Sequence, residues 1–190
     1  MPRPITAVIH QSALRHNLAI ARAAMPDSQV FAVVKANAYG HGIERVYQAF
    51  KSADGFALLD IEEAKRIRAL GWTGEILLLE GIFSAQDLYD CAQYQLSFTV
   101  HNELQIQWLQ QYPAAAQFKV FVKMNNGMNR LGFTPERYVQ AWQQLQDLAS
   151  VQELVHMMHF SDADGERQGQ AGIEYQHQVF QQIVEQYPAP

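Results

Sequence analysis

The chain has 190 residues, 48% of them hydrophobic and 17% charged, which supplies a sizeable core and excludes an intrinsically disordered polymer. Its net charge of −5, with the lysines and arginines scattered, argues against a nucleic-acid track, and the single cysteine, Cys91, excludes both an internal disulfide framework and a cysteine-built zinc site. No stretch reaches the roughly 18 apolar residues that span a bilayer and the N-terminus has no apolar signal core, so the sequence reads as cytoplasmic, binding neither membrane nor metal.

The first β-branched run, "TAVIH" at 6–10, reads as an extra N-terminal strand. Six further runs follow in chain order: "QVFAVV", "GFALLD", "EILLLE", "LSFTV", "FKVFVKM" and "ELVHMMHF". Helical segments separate them. "DIEEAKRIRALG" has Asp60 as N-cap, Glu63 three residues later as a capping-box partner, apolar Ile61, Ala64, Ile67 and Leu70 at helical spacing, and Gly71 as the stop. Ser84 opens "SAQDLYDCAQY", Asn102 opens "NELQIQWLQQY", and Thr134 with Pro135 at the first helical position opens "TPERYVQAWQQLQDL". A last helix, "QVFQQIVEQY", runs up to Pro188 and Pro190.

Strand followed by helix, repeated, predicts a parallel sheet, and nearly continuous apolar strands predict that both sheet faces are covered. A doubly wound sheet and a (β/α)8 barrel both satisfy this. The missing Gly-x-Gly-x-x-Gly turn after the first strand favours the barrel. Closure takes eight strands and about 250 residues, so about six strands predict an incomplete TIM barrel and a truncated chain.

Barrel enzymes carry their chemistry at the C-terminal ends of strands. Lys35 and Tyr39 follow "FAVV", Lys123 and Arg130 flank the end of "FKVFVKM", and His159 follows "LVHMM", while Asp60, Glu80 and His101 end the other three strands. A desolvated lysine has a depressed pKa and an amine able to attack an aldehyde or accept a proton. The alternative is a snorkelling or ion-paired lysine. Gly40 and Gly42 sit where backbone amides could approach a phosphate, and Tyr39 could add a hydroxyl, although turn glycines have many other uses. The run "QAWQQLQ" reads as a solvated helix face, His41 as a junction residue and Cys91 as a packed small group.

The segment "AVVKANAYGHG" resembles the pyridoxal-phosphate attachment signature of alanine racemases, "FVKMNNGMNRLGF" resembles that family's arginine segment, and "HMMHFSDAD" its histidine segment, in the family's order and spacing. The resemblance implies a pyridoxal 5'-phosphate enzyme that interconverts L- and D-alanine by a two-base mechanism, for cell-wall synthesis or alanine catabolism. It implies that Lys35 holds the cofactor as an internal aldimine and then serves as base on one face of the α-carbon. Tyr39 would contact the cofactor phosphate, Arg130 the cofactor's phenolic oxygen and the substrate carboxylate, and His159 the cofactor ring. Lys123 would support Arg130, carbamylated as in some members. Asn125 stands where many members have aspartate, which leaves that carbamate open, with an ordinary ammonium as the alternative.

The resemblance also implies a homodimer whose second base is a tyrosine of the partner subunit's C-terminal β domain, and no segment of residues 1–190 matches that domain. A truncated barrel of this kind is expected to be inactive by itself and to expose sheet edges. A non-catalytic pyridoxal-phosphate-binding barrel, a racemase of another small amino acid and a purely structural domain remain as alternatives.

Overall fold

In the computed structural model, residues 4–113, 115–165 and 172–189 are described. The chain forms two compact units, Met1–Leu77 and Leu78–Pro190.

The first unit contains α1 (Gln11–Ala24), β1 (Phe31–Val33), a short left-handed helical turn α2 (Lys35–Tyr39), α3 (Ile43–Phe50), β2 (Gly55–Leu58), α4 (Ile61–Ala69) and all but the last residue of β3 (Glu75–Leu78). β1 pairs parallel to β2 with Phe31 opposite Gly55, and Gly55 is glycine because a Cβ there would lie 2.4 Å from the Phe31 ring. Phe56 packs against Tyr47 at 5.9 Å and edge-on to Trp72 at 4.9 Å, which closes α3 and the turn after α4 over the strand.

The second unit contains α5 (Asp87–Tyr94), β4 (Ser97–Val100), α6 (Glu103–Gln111), β5 (Phe118–Lys123), α7 (Pro135–Gln146), β6 (Val151–Met157) and α8 (Ile173–Gln186). β4 pairs parallel to β5 and β5 parallel to β6, with one extra residue accommodated on β6 opposite the Phe118–Lys119 step. Beyond that bulge Lys119 faces Glu153 and pairs with it at 3.1 Å. Strand order is sequential in both units, β1-β2-β3 and β4-β5-β6, as a right-handed βα repeat requires. Among the described residues six strands alternate with helices in sequential order, the arrangement of the expected incomplete (β/α)8 barrel.

The extra N-terminal strand is not formed. Residues 4–10 form neither strand nor helix, with Ile5 78% and Val8 66% exposed and no ladder to a described strand. Among the described residues no helix is long and apolar enough to cross a membrane.

Candidate active site

Lys35 stands one residue beyond the β1–β2 ladder, which Val34 extends by donating its N–H to the Ala57 carbonyl at 2.9 Å. The backbone then turns the wrong way for L-residues: Ala36, Asn37, Ala38 and Tyr39 all have φ between 51° and 54°. The turn is helical but left-handed, with the Ala38 N–H donating to the Val34 carbonyl at 2.8 Å and the Gly40 N–H to the Ala36 carbonyl at 3.0 Å. It ends in Gly40 and Gly42, whose φ values of 83° and 92° suit glycine.

This geometry changes the reading of the glycines. The His41 N–H donates to Ala38 O, the Gly42 N–H to Asn37 O and the Ile43 N–H to Asn37 Oδ1. The junction amides thus point inward and are spent, so a phosphate here would have to be met by side chains. Tyr39 is 59% exposed, and its hydroxyl has no partner among the described residues. Lys35 is half-buried and likewise makes no ion pair or hydrogen bond among them. His41 is a junction residue, its Nδ1 2.8 Å from the Ala38 carbonyl.

The second unit holds the remaining candidates. Lys123 ends β5 and is 5% exposed. Its carbonyl accepts from Phe133 N at 2.9 Å and Asn125 N donates to Phe133 O at 2.8 Å, so residues 125–133 form a loop closed at its base beside the Met124–Phe133 bridge. Asn125 Oδ1 accepts the Asn129 N–H at 2.8 Å and fixes the loop's first bend, a duty that a carboxylate oxygen performs equally well. Gly132, with φ of 121°, lets the returning strand approach: a Cβ there would lie 2.7 Å from Asn125 N. Arg130 is exposed on this loop, with no ion pair or hydrogen bond among the described residues. The loop borders a cleft of about 420 Å³, whose wall includes Asn126, 5% exposed, with an Oδ1 that has no hydrogen-bond partner.

His101, at the end of β4, directs Nε2 to the Glu80 carbonyl at 3.0 Å. Burial, reinforced by the charge of Lys123, holds its pKa below the ordinary histidine value against the pull of that carbonyl. Gln105 ties the same strand ends together. Its Nε2 donates to Glu80 O at 3.1 Å and Ile82 O at 3.0 Å, while its Oε1 accepts from His101 N at 2.8 Å. Asp60, the remaining strand-end carboxylate, caps α4 by accepting from Glu62 N at 2.7 Å.

The two histidines of β6 and its exit have separate roles. His156 is a packing residue, stacked on Trp142 at 3.7 Å, with Nδ1 2.7 Å from the Tyr138 hydroxyl and Nε2 2.7 Å from the Tyr187 carbonyl. His159, two residues past the strand, is exposed. Cys91 is fully buried, and its thiol is pushed up by burial and by Asp87 and Asp90.

The model of the family described as alanine racemase, N-terminal domain, matches residues 9–190. This chain belongs to that family. It is 71% identical over 188 residues to the alanine racemase of Acinetobacter baumannii (strain SDF), covering 99% of this chain and 51% of that protein. It is 56% identical to the alanine racemase of Acidovorax sp. (strain JS42), covering 99% of this chain and 50% of the relative. Among solved structures, the biosynthetic alanine racemase from Pseudomonas aeruginosa superposes with a TM-score of 0.86 at 37% identity, over 92% of this chain and 49% of that one. The chain therefore spans about half the length of the relatives it matches.

In the first unit, an amine and a phenol lacking partners among the described residues suit the aldehyde and the phosphate of a phosphorylated pyridoxal; in the second, the Arg130 guanidinium suits an anionic oxygen. The residues present in this alanine racemase N-terminal domain fit that group. Sequence reasoning missed Asn37, Glu63 and Arg66, which brace the turn bearing Lys35; the only signal of them was the capping-box spacing of Glu63.

Proposed function

We propose that this chain is the cofactor-binding half of a pyridoxal-phosphate-dependent alanine racemase, a cytoplasmic enzyme that works as a homodimer and supplies D-alanine for cell-wall synthesis or consumes it in catabolism. The observation that carries the reading is the family match over residues 9–190, in register with a strand-end Lys35 that has no partner among the described residues.

In this reading Lys35 Nζ would hold the cofactor through its aldehyde carbon, with loss of water, and as a free amine would take the α-proton from one face of the substrate. The bound cofactor supplies an electron sink for the charge the proton leaves behind. The Tyr39 hydroxyl, 59% exposed on the turn that begins at Lys35, donates to the cofactor phosphate. Arg130 offers a planar pair of N–H donors, the geometry that holds a carboxylate in two parallel hydrogen bonds and sets which face of the α-carbon meets the base. His159 would lie beside the ring, and Lys123, at the end of β5, would support Arg130 as an ammonium or as a carbamate. Return of a proton to the opposite face needs a second base, which this reading assigns to the partner subunit's C-terminal domain.

The test is incubation with pyridoxal phosphate, borohydride fixation and peptide mapping. A fixed adduct at Lys35 is expected. Labelling spread evenly over the lysines refutes the reading.

A further inference from the structure

Four consecutive residues in the left-handed region, none of them glycine, cost roughly 1–2 kcal/mol each. Such a run persists only where its surroundings over-determine it. The bracing comes from α3 and α4 of the same unit. Glu44 holds Arg66 by both oxygens, Arg66 Nε to Glu44 Oε1 at 2.8 Å and Arg66 Nη2 to Glu44 Oε2 at 2.7 Å. Arg66 Nη2 also donates to Asn37 Oδ1 at 2.8 Å, and the same oxygen accepts the Ile43 N–H at 3.2 Å. The Asn37 backbone N–H donates to Glu63 Oε1. Asn37 is thus gripped at both its backbone and its side chain, from two helices, at the centre of the strained turn.

The Arg66–Glu44 pair is 40% and 51% exposed, so as a salt bridge it contributes little to global stability. Its geometric content is larger: the two-point grip of Glu44 leaves the Arg66 guanidinium one orientation, in which Nη2 reaches Asn37. We propose that Asn37, held by Arg66, Glu44 and Glu63, is a positioning residue that fixes the left-handed turn so that the Lys35 amine and Tyr39 hydroxyl are presented together to a phosphorylated aldehyde. This rests on the function proposed above and adds residues that never touch the ligand.

The experiment uses the whole chain and the variants Asn37→Ala, Asn37→Asp and Arg66→Ala. Asn37→Asp keeps an acceptor oxygen for Ile43 and Arg66. Three readouts are taken: the rate of borohydride-fixed labelling of Lys35 by pyridoxal phosphate, the rate of its reductive methylation by formaldehyde, and hydrogen exchange at the Gly42 and Ile43 amides. For Asn37→Ala, Ile43 exchange is expected to rise and pyridoxal-phosphate labelling to fall, each by about tenfold, the equivalent of one lost hydrogen bond. Formaldehyde labelling, which needs no phosphate contact, stays within about twofold, and Asn37→Asp restores the other two readouts; Arg66→Ala falls between. Pyridoxal-phosphate labelling of Asn37→Ala at the wild-type rate overturns the proposal, as does an equal fall for both aldehydes. If wild-type Lys35 shows no preference over Lys51 for pyridoxal phosphate, the function reading fails, and the clamp is then judged by exchange alone: unchanged Ile43 protection in Asn37→Ala refutes it.

Discussion

Gln105→Leu tests whether the strand ends around the candidate site are held by buried amide chemistry. Gln105 is 1% exposed and satisfies three backbone groups with one side chain. Leucine replaces it with a similar volume and no polar atom. The Glu80 carbonyl keeps His101 Nε2 as a partner at 3.0 Å, whereas Ile82 O and His101 N–H are stripped of theirs. Each orphaned buried group costs about 1–3 kcal/mol, so the substitution should destabilise by roughly 2–6 kcal/mol. With a urea slope of about 1–3 kcal/mol/M, the unfolding midpoint should fall by roughly 1–2 M or more. Gln105→Glu should be no better, since it retains the acceptor for His101 N–H but sets a carboxylate against two carbonyl oxygens. A midpoint for Gln105→Leu within about 0.3 M of wild type, at unchanged slope, would refute the assignment of these bonds as structural.

Gly132→Ala forces a Cβ to within 2.7 Å of Asn125 N and 3.0 Å of Lys123 O at a φ of 121°, with backbone on both sides that cannot give way. It should destabilise by about 2 kcal/mol or more and raise amide exchange at Asn125 and Phe133, which form the base of the Arg130 loop. Burial holds His156 below its ordinary value of 6.5, so on acidification the unfolded chain binds a proton before the folded one does. Stability is therefore fully present above about pH 6.5 and declines below it, by at most about 1.4 kcal/mol per pH unit for this group. His101 is shifted the same way, so urea titrations should show a shallower acid decline, not a flat one, for His156→Gln. Lys35→Ala removes a half-buried side chain with no ion pair or hydrogen bond among the described residues, so its urea midpoint should stay within the equivalent of about 0.5 kcal/mol while the fixed pyridoxal-phosphate adduct at that position disappears.

The strands were legible because each is a short apolar run ending at a polar junction: five form inside the stretches read as strands, and β6, Val151–Met157, begins two residues before its stretch. Caps were legible where they act locally: Asp60 accepts from Glu62 N, and Asn102 from Gln105 N at 3.0 Å. They failed where tertiary partners compete. Glu63 looks like a capping-box residue, yet its carboxylate leaves the helix end for Asn37; at α5 the competitor is local, Ser84 donating to Asp87 Oδ1, and the N-cap falls on Gln86, two residues past the sequence signal. The helix α1 carries no such signal, since His10 caps it without a side-chain bond and its first turn has no acid. The left-handed turn was unreadable for a stronger reason: Ala, Asn, Ala and Tyr have no intrinsic preference that specifies it, and its cause lies in Arg66 and Glu63, more than twenty positions away.

The division between bonded and unbonded polar side chains stands beside the family match. Gln105, Gln176 and Tyr138 are buried and bonded to backbone or neighbouring side chains, as groups that hold a fold must be. Lys35, Tyr39 and Arg130 stand at strand exits or on braced turns, and none has an ion pair or hydrogen bond among the described residues. A structural lysine is expected to have an acidic partner, and Lys35 has none among the described residues: Glu63 Oε1 takes the Asn37 backbone N–H and Glu44 holds Arg66. The two carboxylates nearest in role fix the geometry of the turn instead of neutralising the lysine on it. That arrangement leaves the lysine without a carboxylate while strain of roughly 1–2 kcal/mol per residue is absorbed around it, a combination that stability alone does not select.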